Sequence, residues 1–347
     1  MAFTTIKKSS DFFNTKLYTG TGSSNAITGV GFQPDLVWLK NRDTANSHQL
    51  YDAVRGTTKY LESDNDGTEY TSANGISAFG TDGFTINGNL TGANNSSDNF
   101  ASWNWKAGTT SGITTNGSST ITPTGYSFNT TNGFSIIKYD GNNTAGAGLP
   151  HGLGVAPSMV IVKRVGSSGS WITFHKDLGG TKNLILDGSN AVATESSFWN
   201  NTAPDATNIY FGTSGATNVS GAYVAYCWTD VIGFSKFGTY TGNGSTNGPF
   251  IYTGFKPAVV MIKKSSANDG WWQMQDDKRD VDNPAEKALF ANVNDAEYSG
   301  SNYYVDYFSN GFKCRSTNAG TNSSGGTYIY MAFAAEPLIG DNPATAR

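Results

Sequence analysis

Three stretches of this chain repeat the same three anchors in the same order, and a repeat of that kind limits the fold before any local motif is weighed. The first anchor is a Tyr followed by a glycine-containing turn: Tyr18-Thr19-Gly20, Tyr139-Asp140-Gly141 and Tyr240-Thr241-Gly242. The second is Gly, a short spacer, Pro, an apolar run and then Lys, as in Gly31 to Lys40, Gly154 to Lys163 and Gly254 to Lys263. The third alternates aromatic and small residues: Phe100-Ala101-Ser102-Trp103-Asn104-Trp105, Tyr223-Val224-Ala225-Tyr226-Cys227-Trp228 and Tyr328-Ile329-Tyr330-Met331-Ala332-Phe333. Pro34, Pro157 and Pro257 are separated by 123 and then 100 residues; Trp105, Trp228 and Phe333 are separated by 123 and then 105. Two independent anchors therefore report one period.

Each Pro-led run is too short for a typical helix and suits a core strand, because proline lacks a donor and tolerates the first strand position. The closing Lys of each run is expected where the strand meets solvent. Period two places Trp103 with Trp105, and Tyr226 with Trp228, on one sheet face. The 42 glycines, 13% aromatic content and only 14% charged residues are the composition of strands and turns. The fold class expected is all-β, with three tandem antiparallel β-sandwich repeats of concanavalin A-like or jelly-roll-like form. The boundaries read as 1–110 for the first repeat, 111–132 for a Thr/Ser/Gly-rich linker or extended loop, 133–236 for the second repeat and 237–347 for the third. One helical turn is expected at Asn283 to Ala288, with Asn283 capping and Pro284 at the first helical position.

The net charge of -4 and the absence of any long Lys/Arg run argue against a nucleic-acid footprint. No stretch approaches eighteen apolar residues, so no membrane insertion is expected. The first eight residues lack the apolar run of a secretory signal, which points to synthesis and folding in a cytoplasm. Cys227 and Cys314 read as two reduced, buried thiols.

The usual catalytic constellations are missing. His48, His151 and His175 lack the paired spacing of a zinc site and read as surface or turn residues. No Gly-x-Ser-x-Gly elbow or phosphate-cradling loop precedes a helix. A glycosidase would need two carboxylates about 5–10 Å apart; the single-strand Glu-x-Asp-x-x-Glu pattern of sandwich glucanases is absent, and the cluster Asp276, Asp277 and Asp280 reads as a turn. The stretch Glu62 to Gly67 begins like a calcium loop, but the glutamate required at its twelfth position falls at Ala73. No catalytic residue, metal ligand or cofactor is assigned, and the chain is expected not to be an enzyme.

What remains is aromatic. Exposed rings beside Asn, Asp and Ser turns hold sugars by stacking on their apolar faces while the polar neighbours take the hydroxyls. Trp171, Trp199, Trp271 and Trp272, with Asp276, are the candidate ligand-binding residues. Trp271 and Trp272 are adjacent, so on a strand they point to opposite faces, and one of them is expected to leave its own core or to pack into a neighbouring domain or subunit.

These anchors, together with Tyr51 to Gly56, Trp103 to Gly108, His151 to Pro157, Gly233 to Gly238 and Tyr328 to Pro337, resemble a family of virion proteins of marine tailed bacteriophages with lectin- or glucanase-like sandwich folds. The resemblance implies a structural component of the virion, a tail fibre or receptor-binding adhesion protein contacting host surface glycans and other virion proteins. It supplies no catalytic residues. Two alternatives stand beside it: a capsid decoration or tail-exterior protein without glycan binding, and a polysaccharide-degrading glycosidase. A homo-oligomer is expected, a receptor binder being trimeric or tail-located, on the virion exterior after assembly in the host cytoplasm.

Overall fold

A computed structural model describes residues 4–337 and Pro343 of the chain. It is all-β, with several antiparallel sheets and only single turns of helix. Three larger sheets recur with one spatial strand order. In copy one the order is 13–19, 99–105, 36–41, 49–52, 59–62 and 70–71; in copy three it is 235–241, 327–337, 255–264, 273–276, 287–290 and 298–299. Copy two repeats the order as 134–141, 221–228, 159–164, 172–175, 182–185 and 193–194, with strand 123–129 added outside 134–141. Part of the stretch read as a linker is therefore a strand, paired with 134–141 in one register from Asn129 opposite Phe134 to Gly125 opposite Lys138, with a bulge before Pro123 meets Tyr139.

Alternation along the Pro-led strands decides where the cores form. Leu36 and Trp38, Met159 and Ile161, and Val259 and Met261 all enter one central cluster. The residues between them face outward into separate clusters: Val37 and Leu39 meet Ile27, Phe84 and Ile86, Val160 and Val162 meet Ile209 and Phe211, and Val260 and Ile262 meet Val305 and Phe312. Both faces of each large sheet are thus buried, which is why these runs are continuously apolar. The third anchors converge at the centre, with Trp105 6.0 Å from Trp228 and 5.6 Å from Phe333 between ring centroids.

The first anchor builds the same turn three times. Tyr18, Tyr139 and Tyr240 donate their hydroxyls to the carbonyls of Ala93, Thr217 and Thr321 at 2.7, 2.6 and 2.6 Å. Beside them Asn94, Asn218 and Asn322 accept from the backbone N–H of Thr21, Asn142 and Asn243. The approach is so close that a Cβ on Gly20, Gly141 or Gly242 would sit 2.0, 2.2 or 2.4 Å from a carbonyl oxygen. Only glycine fits there.

The copies close on one another in a ring. The N–H of Glu69 donates to Val165, that of Val192 to Ser265 and that of Glu297 to Arg42, linking copy one to two, two to three and three to one. In the opposite sense the indole of Trp171 donates to the Glu62 carbonyl and that of Trp272 to the Ile185 carbonyl, both at 2.9 Å, while the matching residue of copy one, His48, lies against the carbonyl of Phe290.

Three expectations are overturned. Lys40, Lys163 and Lys263 do not mark solvent but are wholly buried. Lys163 donates to the carbonyls of Asp66 and Gly169, and Lys263 to those of Ser189 and Gly270, so the ammonium is solvated by backbone oxygens of its own and the preceding copy. Burial lowers all three to about 8. The histidines are likewise buried rather than superficial, and burial lowers His151 and His175 to about 4. The turn of helix expected at 283–288 is absent: Ala285 bridges to Val305 and strand 287–290 begins directly after it, because sheet pairing outweighs a local cap. Cys227 and Cys314 are free and buried in different clusters.

Candidate functional site

Of the five residues singled out from the sequence, four lie inside the protein. Trp171 and Trp272 are the inter-copy indoles just described, and Trp199 packs edge-on to Phe174 in the outer cluster of copy two. Asp276 is fully buried, accepting from Arg279 Nε at 2.6 Å and from the Trp103 indole at 3.1 Å. Arg279 also binds Glu297, which is shared with Arg42 of copy one. Burial opposes ionisation of Glu297, but these two guanidinium groups outweigh it and hold its carboxyl below the ordinary range. The Asp276 cluster is therefore structural: it ties copy three to copy one, and no ligand reaches it. Copy two is tied to copy one in a related way, through the Tyr226 hydroxyl on Asp52 and the Arg55–Asp52 pair.

Trp271 stands apart, with 40% of its surface exposed. Strand 273–276 begins just beyond it, so Trp272 is carried into the boundary with copy two and Trp271 is turned outward. Its ring meets Phe290 edge-on at 4.9 Å, Phe290 meets Tyr303 at 5.0 Å, and Tyr303 meets Tyr298 at 5.0 Å. Trp271, Phe290 and Tyr303, together with Asp269, Gln273 and Asn318, line a cavity of about 160 Å³. Such a volume is well below the roughly 300–1,000 Å³ that encloses a drug-sized ligand, and suits one small ring held against an aromatic wall.

The polar lining is arranged for hydrogen bonding. Asp269 is held by Lys264 at 2.9 Å while half of its side chain stays exposed. Burial, and then the neighbouring Tyr298, raises the Tyr303 hydroxyl, so it stays protonated beside Asn318. Gln273 is 2% exposed; its amide N–H₂ donates to Gln275 at 2.6 Å, yet its Oε1 accepts no hydrogen bond among the described residues. A buried acceptor left open costs free energy unless something fills it. Asp269 is the one carboxylate among the described residues that line this cavity. Among the described residues no group of three His, Cys, Asp or Glu is placed to hold a metal ion.

The cleft belongs to copy three alone. Strand registers put Ser47 and Ser170 where Trp271 stands, and Glu62 and Ile185 where Phe290 stands. Gln273, Phe290, Tyr303 and Asn318 were not selected from the sequence. The available signal was the run Tyr298 to Tyr304, whose three tyrosines crowd a segment that carries none in the corresponding part of copy two.

A family model described as a domain of unknown function, DUF7483, matches residues 8–337. Neither the search of curated proteins nor that of solved structures returns a match.

Proposed function

The chain belongs to the DUF7483 family, and from its exposed tryptophan cleft we propose that it is a structural protein of a tailed-phage virion, displayed on the exterior as a receptor-binding adhesion protein that holds a host surface glycan without cleaving it. The observation that carries this reading is Trp271, a ring 40% exposed to solvent that lines one cavity with the half-exposed carboxylate of Asp269. An aromatic face takes the C–H face of a sugar, and the polar edge takes its hydroxyls. Hydrolysis by the usual two-carboxylate route would need a second acid across the cavity, and Asp269 is the single carboxylate among the described lining residues. In this reading the architecture is three tandem β-sandwich units of lectin-like form, each setting its large sheet against the smaller strands of its own copy, which the three outer clusters support.

One observation favours the capsid-decoration alternative. Phe250 and Tyr252 point the same way from the edge strand 250–252 and are 47% and 60% exposed, as an apolar contact in a lattice would require.

The test combines location and binding. Cryo-electron microscopy of whole particles is expected to place the density on a distal tail position. Purified protein is expected to bind host surface polysaccharide, and Trp271→Ala to weaken binding at least about tenfold, or about 1.4 kcal/mol, while the protein stays folded with a stability loss of about 1 kcal/mol from the lost edge contact with Phe290. Density confined to the capsid faces, with equal binding by both proteins, would replace adhesion by decoration. Release of reducing sugar by the wild-type protein would make it an enzyme.

A further inference from the structure

Beside the Trp271 cavity lies a second one of about 340 Å³, lined by Thr246, Ser301, Tyr304, Arg315, Thr317 and Asn318 among others. Asn318 lines both. Its position is fixed because its side chain accepts from the Gly320 N–H at 2.7 Å and caps the short turn 319–322. The two cavities therefore adjoin across one anchored amide, aromatic on the first side and rich in hydroxyls on the second.

Charge around them is already balanced. The first cavity has no cation in its lining, and its Asp269 is paired with Lys264. In the second, Arg315 gives Nη1 to Asp306 at 2.5 Å, and the Tyr304 hydroxyl leans on Glu286. An anionic ligand would meet the Asp269 carboxylate in the first cavity, and in the second the one cation among the described lining residues, Arg315, is already paired with Asp306. Neutral hydroxyls would instead find the half-exposed Asp269 carboxylate on the first side of Asn318 and the exposed hydroxyls of Thr246 and Thr317 on the second.

Resting on the glycan reading above, we infer that the two cavities form one groove for a neutral oligosaccharide, with one pyranose stacked on Trp271 and the next unit held by the Thr246–Thr317 side. The two threonines are exposed and have no hydrogen-bond partner among the described residues, so their hydroxyls are free for a ligand and dispensable to the fold.

The probes are methyl glycosides of glucose, galactose and mannose, their oligomers of two to four units, and uronic-acid oligomers of the same lengths, titrated by calorimetry and by tryptophan fluorescence. Affinity for the best neutral series is expected to rise about tenfold from one unit to two and to fall for its acidic counterpart. The double variant Thr246→Val, Thr317→Val is expected to lose that gain while keeping the affinity for the single unit, whereas Trp271→Ala loses both. Affinity independent of length would overturn the two-unit groove and leave the glycan reading standing. Equal or tighter binding of the acidic oligomers would overturn its preference for neutral sugars. Failure to bind any probe, single units included, would overturn the glycan reading itself.

Discussion

Replacing Lys163 by methionine should change how the stability of the protein responds to alkali. The ammonium is fully buried between copies one and two, 2.9 Å from the Asp66 carbonyl, 2.7 Å from that of Gly169 and 5.8 Å from the centre of the Trp171 ring. Burial lowers it from 10.5 to about 8, with Asp187 and Asp66 opposing the fall. The folded chain therefore releases this proton before the unfolded chain does. Between about pH 8 and 10.5 the unfolded state binds more protons, so stability rises with pH in that window. Below pH 7 both states hold the proton and the buried charge costs its full amount, about 3 kcal/mol. One pH unit beyond 8 recovers about 1.4 kcal/mol.

Lys163→Met has no proton to release. It leaves the Gly169 carbonyl without its lysine donor, a pH-independent cost of about 1–3 kcal/mol that shifts the comparison without tilting it. Burial pushes the thiols of Cys227 and Cys314 up to about 12, so they act against stability above pH 9, but they do so equally in both proteins. Urea unfolding at pH 7, 8 and 9 should show the wild type gaining about 1.4 kcal/mol on the variant across that range. A difference that stays constant within about 0.4 kcal/mol would mean that water reaches this ammonium and that the closed boundary between copies is wrong.

Two further outcomes follow from named contacts. Arg279→Met leaves the buried carboxylate of Asp276 without its cation and Glu297 with Arg42 alone, and should cost about 3–5 kcal/mol in chemical unfolding; a loss below about 1 kcal/mol would show that the cluster is solvated. Gly20→Ala drives a Cβ to 2.0 Å from the Asn95 oxygen and should lower the melting temperature sharply, whereas Gly166→Ala, with no neighbour within 4 Å, should leave it nearly unchanged; equal effects would refute the role assigned to the first anchor.

The repeat, the Pro-led strands and the all-β class were readable because they rest on local chemistry: proline at a strand entry, period-two alternation, and glycine at a close approach. The adjacent tryptophans also announced that two faces were in use. Which of them would face out was not legible, since that depends on Ile185, a residue in another copy, receiving the Trp272 indole. Lys40, Lys163 and Lys263 misled for the same reason. A lysine at the end of an apolar run ordinarily escapes to water, and nothing within the run says that carbonyls of the preceding copy lie above two of these three. His48 occupies the place of Trp171 and Trp272, an equivalence that composition hides because imidazole and indole share little beyond a ring N–H.

The ring of three copies within one chain has a consequence for how its surface can change. Three identical subunits around an axis must accept every substitution three times, so a bulky aromatic at one corner appears at all corners and must be tolerated by each boundary. Here the corners are encoded separately. Serine stands at 47 and 170 where tryptophan stands at 271, so the three boundaries share one layout while each corner can carry a different side chain.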